Sequence, residues 1–476
     1  MQQKSFKTAA IIAEYNPLHS GHAYQLRRVR ELSGADYIIV LMSGDFVQRG
    51  EPAVFNKFVR AEMALLCGAD LVLELPCAAA SGSARVFAEG AVAILDRLGV
   101  VDELWFGSES GDIQDFLKLS DILADEPPAF RSDLLRFQKK GLSWPAAREK
   151  ALCACSAGPE SGLDDVSGPE REPGPDDVLG PEREPGLSDS VCPEPEVSQQ
   201  AVHDILSRPN NILGLEYCIA LRRAGSSIAP CTLPRTSDNY HSIELNPDGS
   251  FCSASAIRNA LFAMPGKDQK TPPAAATDGN PDMLVDTSSC GIPGGFISSV
   301  PEAIRPLFTD TVLSGSIVRA DDFSDMLLYQ LLRESSDSLQ QYAGISPDLA
   351  NRIMNTRGCF RSFTQYAELL KTRDRTLTSV RRALIHILLG LKKEDEAALA
   401  DPAYARILGI GNGESLLHAI RRRGSVLLTS RPRNTGSPDA YKKEPFASAL
   451  YESVRCRNAN QPFIHEYSRK MIRIPD

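Results

Sequence analysis

Two of the chain's seven histidines, His19 and His22, stand three residues apart in EYNPLHSGHAYQL (14–26), with Ser20 and Gly21 between them. The stretch leaves an apolar run, crosses a loop holding Pro17, and enters residues with helical spacing. At the carboxyl end of the first strand of an open α/β sheet, such a loop forms the expected ligand crevice. The helix N-terminus there is expected to offer free backbone N–H groups and a partial positive charge, both suited to phosphate. His19 and His22 would be neutral or cationic donors aimed at the same place, and Gly21 would let the backbone approach closely. Two other readings use the same residues. The histidines can simply cap a helix and pack on neighbours, or ligate zinc, although neither a matching Cys nor a third His lies nearby. The other common phosphate loops, G-x-x-x-x-G-K-[ST] and G-x-G-x-x-G after a strand, are absent.

The elements needed to position this loop surround it. TAAIIAEY, DYIIVLMS, DLVLELP and DELWFGS read as short, nearly continuous apolar strands, as in parallel sheets buried on both faces. GHAYQLRRVRELSG, NKFVRAEMALLCG and SARVFAEGAVAILDRLG lie between them, have helical spacing and end on Gly. The alternation predicts a doubly wound, parallel, Rossmann-like α/β sheet with right-handed crossovers. RPNNILGLEYCIALRRAG, IAPCTLPR and SASAIRNAL would complete it as helix, strand and helix, so the α/β domain is expected over 1–155 and 201–265. Between these parts, 156–200 holds the tandem repeat DDVSGPEREPG and DDVLGPEREPG. Rich in Pro, Gly and acid, it has too little to bury to offset its ordering entropy and reads as a disordered acidic insertion. Residues 266–298 read as a flexible linker. From 299 to 476 helical periodicity dominates, with a candidate strand pair in YARILGIG and GSVLLTS.

A chain of 476 residues exceeds one compact core, and 42% hydrophobic with 24% charged residues is ordinary for a folded protein. No signal-peptide pattern opens the sequence and no run approaches the roughly 18 apolar residues of a spanning helix, so a cytoplasmic, non-membrane protein is expected. The eleven cysteines are odd in number and scattered, and several sit in apolar runs as small hydrophobes. Cys153 and Cys155 have no second pair at zinc spacing, so no protein metal site is expected. A net charge of −9 argues against nucleic acid until its distribution is considered, because acid concentrates in the repeat. Lys371, Arg373, Arg375, Arg381 and Arg382 form a basic run on a predicted loop and helix start, suited to RNA phosphates. A solvated helix face is the plainer alternative.

The His-x-Gly-His element resembles the mark of the nucleotidyltransferase and class I synthetase superfamily, whose histidines contact ATP phosphates. That superfamily usually adds a Ser/Thr-rich turn opening a helix with an Arg, and SASAIR matches, with Ser253, Ser255 and Arg258; a plain N-cap would look the same. The strings IIAEYNPLHSGHAYQL, MSGDFVQRGEPAVFNKFVRAEMAL, GADLVLELP, FGSES, PNNILGLEY and SASAIR together resemble one family, the tRNA(Met) cytidine acetate ligases. LLKTRDRTLTSVRRALIHILLG and ARILGI extend the likeness toward the C-terminus.

The resemblance implies a ligase that makes acetyl-adenylate from ATP and acetate. It then passes the acetyl group to the wobble cytidine of elongator tRNA(Met), giving N4-acetylcytidine, with Mg²⁺ neutralising the leaving pyrophosphate. The alternative is an adenylyltransferase acting on a small phosphate ester. The implied ATP site comprises Ile12, Ala13, Glu14, Tyr15, Asn16, Pro17, Leu18, His19, Ser20, Gly21, His22, Ala23, Tyr24 and Gln25. Gly107, Asn210 (or its neighbour Asn211), Arg235, Ser253, Ser255 and Arg258 join it, with His19 and His22 catalytic. RTSDNYHS keeps Arg235, Tyr240 and His241 but departs from the glycine-containing loop of the family. Asp45 and Glu51 are candidate metal-side or orienting carboxylates.

Overall fold

Alternate residues of each apolar strand face opposite sides, and both sides are covered, so the strands need no polar face. β1 (Thr8–Ala13) and β2 (Tyr37–Ser43) pair in parallel. A short hairpin, β3 (Phe46–Val47) with β4 (Glu51–Pro52), follows. Parallel neighbours β5 (Leu71–Leu75), β6 (Glu103–Ser108) and β7 (Ala229–Pro234) extend the sheet, giving the order β5-β2-β1-β6-β7. The computed structural model describes residues 6–142, 144–156, 197–235, 253–264, 297–431 and 440–474.

The helices are α1 (Ser20–Ser33), α2 (Lys57–Leu66), α3 (Cys77–Ala80), α4 (Ala84–Arg97), α5 (Ile113–Asp125), α6 (Pro128–Lys139), α7 (Trp144–Ser156), α8 (Gln199–Ser207), α9 (Pro209–Ala224) and α10 (Ala254–Ala263). Ala9, Ile11, Ile38 and Val40 pack against Leu26 and Val29 of α1, Ala61 of α2 and Ile257 of α10. Ala10, Ile39 and Leu41 belong to the opposite core, with Phe87 of α4, Phe116 of α5 and Leu215 of α9. This is the doubly wound, Rossmann-like arrangement that the sequence pattern predicts.

The sheet does not end with the N-terminal half. YARILGI forms β8 (Tyr404–Ile410), every residue of it buried, which pairs antiparallel to β5. β9 (Leu427–Thr429) and β10 (Ile472–Arg473) pair in parallel with the outer edge of β8. The candidate strand pair therefore forms as β8 and β9, but it enlarges the N-terminal sheet instead of standing apart among the helices. A buried strand, apolar but for Arg406, needs cover on both faces and an edge partner; β5 supplies that edge, and Glu74 of β5 pairs with the arginine. Helices Ser324–Arg333, Pro347–Thr356, Phe363–Leu370 and Leu377–Leu389 make up much of the intervening region.

Of the expected insertion over 156–200, residues 157–196, the whole tandem repeat included, lie outside the described residues. At its far end Val197 is buried and Ser198 caps α8, so regular structure resumes at Gln199. The linker expectation over 266–298 also falls outside the described residues, except at Ile297 and Ser298. Among the described residues no helix is long and apolar enough to cross a membrane.

Candidate active site

His19 is the residue from which α1 starts. Its extended backbone (φ −140°, ψ 175°) lets the ring fold back, and Nδ1 accepts a hydrogen bond from the Gly21 N–H at 3.0 Å. The His19 N–H points in turn to His22 Nδ1 at 3.4 Å. The two imidazoles stack, with centroids 3.9 Å apart and planes 29° from parallel. Burial, helped by Arg235 and Arg258, holds the His19 pKa down at about 3; burial, then His19 and Arg235, holds His22 well below its ordinary value. Both rings are neutral at pH 7. A neutral imidazole whose Nδ1 accepts must carry its proton on Nε2, so each ring has an Nε2–H donor and no net charge. Of the two protonation states open from the sequence, the structure selects the neutral one.

The expectation of free N–H groups at the start of α1 is not met. The Ser20 N–H and Oγ–H both donate to the Ser299 carbonyl, at 2.8 and 2.7 Å, while the Gly21 N–H is taken by His19. The His22 and Ala23 N–H groups donate to the His19 carbonyl. Gly21 also has a different reason from the expected one: a β-carbon there would lie 2.8 Å from His19 Cε1, so glycine makes room for the ring.

SASAIR is tied to the histidine loop directly. Ser253 caps α10, its Oγ accepting from the Ala256 N–H at 3.0 Å. Arg258 donates to the Asn16 carbonyl at 2.5 Å and to Ser255 Oγ at 3.2 Å, and lies 3.3 Å from Glu51. Arg49 donates to the same Ser255 Oγ at 3.3 Å. Asn16 Oδ1 accepts from the Val54 N–H at 2.8 Å. The loops after β1 and β2 and the start of α10 are thereby one connected unit.

The β6 side of the crevice adds Gly107 and Arg235. The Arg235 N–H donates to the Ser108 carbonyl at 3.0 Å, and a β-carbon on Gly107 would come within 3.6 Å of Arg235 Cγ. Asn210 and Asn211 separate by role. Asn211 is fully buried and bonded to the Glu109 N–H and the Asp204 carbonyl, whereas half-buried Asn210 donates to Glu109 Oε1 at 2.5 Å. Tyr240 and His241 lie outside the described residues.

The sequence profile of the HIGH Nucleotidyl Transferase family matches residues 6–463. Over 426 residues the chain is 34% identical to the tRNA(Met) cytidine acetate ligase of Acetivibrio thermocellus, covering 89% of this chain and 87% of that one. The protein of the same name from Clostridium acetobutylicum is 32% identical over 465 residues, covering 97% and 98%. The chain belongs to the tRNA(Met) cytidine acetate ligase family. The ligase fold is shared throughout. The Thermotoga maritima TmcAL structure without ligand aligns with a TM-score of 0.80 at 27% identity, and the one bound with alpha-thio ATP with 0.78 at 26%. Each covers 99% of this chain and 100% of that one.

In this member of the ligase family the basic run divides. Lys371 and Arg373 are exposed. Arg375 donates to Ser346 Oγ at 2.6 Å. Arg381 reaches within 4.0 Å of Glu51, and Arg382 donates to the Gln48 carbonyl at 3.5 Å. Arg381 and Arg382 thus lie against the SGDFVQRGE loop, which is also bonded to Arg258, and do not form a surface apart from the nucleotide site as expected. The reason is the packing of helix Leu377–Leu389 onto that loop.

Asp45 and Glu51 are already engaged. Asp45 is buried and accepts from the Lys57 N–H at 2.8 Å, and Glu51 faces Arg258. Among the described residues no three His, Cys, Asp or Glu side chains gather as metal ligands. The donor set does not fit a protein-held Mg²⁺.

The residues that sequence reasoning missed are cations inside α2. Arg60 is fully buried and donates to the carbonyls of Glu14 (2.6 Å), Ser43 (3.1 Å), Gly44 and Phe55 (2.9 Å), holding the ends of β1 and β2 together. Lys57, equally buried, meets Glu74 Oε1, Ser448 Oγ and Glu466 Oε1, each at 2.6 Å. Arg406 of β8 bonds Glu74 at 2.9 Å and Glu466. A signal was present: in NKFVRAEMALL, Lys57, Arg60, Ala61 and Ala64 share one helical stripe, and the two alanines mark it as inward.

Proposed function

We propose that this protein activates acetate with ATP and transfers the acetyl group to the wobble cytidine of elongator tRNA(Met). In the first step an acetate oxygen attacks the α-phosphorus of ATP and the bond to pyrophosphate breaks, leaving acetyl-adenylate. The Nε2–H groups of His19 and His22 donate to phosphate oxygens as charge develops, and Arg235 and Arg258 supply the positive charge that the neutral rings lack. In the second step the cytidine N4 attacks the acetyl carbonyl, AMP leaves, and the amine gives up a proton. A tRNA substrate implies work in the cytoplasm.

The observation that carries this reading is the stacked pair itself. With both Nδ1 atoms accepting within the loop, the rings are fixed before ATP arrives, and preorganised donors cost no reorganisation at the moment of reaction. The test is pyrophosphate release from ATP with acetate, larger carboxylates and small phosphate esters in turn. Release that depends on acetate, with acetylcytidine formed when tRNA is added, is expected. Release with a phosphate ester alone would make the protein an adenylyltransferase of the other kind.

A further inference from the structure

Between α-helix 440–459 and β10 the chain exposes aromatic rings in close succession. Phe463 is 46% exposed, Ile464 40% and Tyr467 47%, and His465 between them is exposed as well. A surface strap that served only to connect two elements would be expected to turn such residues inward, because leaving them in water forfeits about 25 cal/mol for each Å² of apolar surface.

The rings are ordered nonetheless. His465 Nδ1 accepts from the Tyr467 N–H at 3.2 Å, and the two rings stack with centroids 5.0 Å apart and planes 13° from parallel. The Phe463 ring stands 6.2 Å from His465. What holds them is the one inward residue, Glu466, whose carboxylate reaches Lys57 and Arg406 in the buried network. The Ile464 N–H donates to Glu452 Oε1 at 3.2 Å, and Arg469 pairs with the same carboxylate at 3.0 Å. The cost of fixing the strap is therefore met by polar groups underneath, and the apolar faces are left outward.

The location matters. Lys57 joins Glu466 to Glu74, near the carboxyl end of β5, and β5 lies two strands from β1. At about 4.8 Å per strand, β5 is about 10 Å across the sheet edge from the strand that leads to His19 and His22, and the strap, which also reaches Arg406 of β8, lies beyond β5 on the side away from β1. Lys470, three residues after Tyr467, is exposed, and the acids bonded to the strap, Glu466 and Glu452, are buried and paired. Although the whole chain is acidic, this surface combines flat rings with positive charge.

We propose that Phe463, His465 and Tyr467 form a stacking platform for unpaired bases of the tRNA anticodon loop. The inference rests on the tRNA reading above. Proteins that bind single-stranded RNA stack its bases on exposed aromatic side chains flanked by cations, a mode that uses the flat face every base has. A platform on this side of the sheet would hold other nucleotides of the same loop while the cytidine reaches the adenylate.

The test uses the full-length protein with Phe463→Ala, Tyr467→Ala and both together, with Tyr467→Phe as the conservative control. Binding of a tRNA(Met) anticodon stem-loop and acetate-dependent pyrophosphate release without RNA are measured on each. Each alanine is expected to weaken RNA binding by about tenfold or more. Tyr467→Phe should bind as the wild type does, and pyrophosphate release should be unchanged. Wild-type RNA affinity in the double alanine variant would overturn the platform while leaving the tRNA reading intact. Failure of the wild type to bind the stem-loop would instead overturn the tRNA reading. A wild-type dimer that the double variant converts to monomer, at undiminished RNA affinity, would make this face a contact between copies and overturn the platform.

Discussion

Gly50 and Arg382 meet backbone to backbone: a β-carbon on Gly50 would lie 2.3 Å from the Arg382 nitrogen. The loop that carries Glu51 is thus seated on helix Leu377–Leu389 with no room for a methyl group. Gly50 also has φ +73°, where any other residue is strained. Gly50→Ala is expected to cost about 2 kcal/mol or more in unfolding free energy and to lower acetyl-adenylate formation with it. Urea unfolding together with acetate-dependent pyrophosphate release measures both. An unchanged urea midpoint would mean that the loop and helix separate freely.

The same contact makes a distinction within the basic run. Arg381→Glu would bring a second carboxylate toward Glu51 and weaken its hold beside Arg258, so both adenylate formation and acetylcytidine formation should fall. Lys371→Glu with Arg373→Glu alters only exposed charge, so adenylate formation should persist while tRNA binding weakens and its salt dependence becomes shallower. Paired assays on each variant, with and without tRNA, read the difference. Equal effects of the two changes would show that the run acts as a single surface.

For the histidines the expected loss is kinetic. His19→Ala or His22→Ala removes a preorganised donor and should slow adenylate formation by about a hundredfold or more, equivalent to about 2–4 kcal/mol of transition-state stabilisation. Near-normal pyrophosphate release by the double variant would remove both rings from the mechanism.

Their protonation also sets a pH dependence of stability. His19 has a folded pKa of about 3 against an ordinary 6.5, and His22 is depressed in the same direction. Between these values the unfolded chain binds more protons than the folded one. Stability present above pH 6.5 is therefore lost as pH falls toward 3, by up to about 1.4 kcal/mol per pH unit for each ring. Melting curves from pH 7 to pH 5 should fall more steeply for the wild type than for His19→Gln with His22→Gln, since His386, the other depressed histidine among the described residues, is common to both. Parallel slopes would refute the neutral stacked pair.

Lys57→Met tests the network beneath the site. It would leave Glu74 and Glu466 buried with Arg406 as their remaining close cation, and removing one member of a buried ion cluster typically costs about 3–5 kcal/mol. A large drop in the urea midpoint is expected. A fully stable variant would show that the carboxylates protonate without penalty.

What could be read from the sequence was set by local pattern. The continuous apolar strands needed only period and length, and the histidine loop needed only two residue types at the end of one of them. What stayed hidden was non-local. Ser299 occupies the Ser20 N–H and Oγ–H from 279 residues away, so the helix start that looked open is closed by a segment with no motif. β8 reads as an ordinary apolar strand, and nothing in its own residues says that it pairs antiparallel with β5. Arg381 and Arg382 read as part of an exposed, RNA-facing basic run because the loop they touch lies far earlier in the chain, as the Arg382 bond to Gln48 shows with a separation of 334.

The buried contact between Lys57 and Ser448 spans 391 residues, and Glu466 lies later still. During synthesis the N-terminal strands leave the ribosome long before these partners exist. Until they arrive, the Lys57 ammonium has Glu74 but lacks Ser448 and Glu466, and the polar cluster beneath α2 is incomplete. The network beside the nucleotide loop is thus finished by residues made 391 and more positions after Lys57. Nascent or prematurely terminated chains, though they contain His19 and His22, would lack a seated loop to hold them and would not consume ATP.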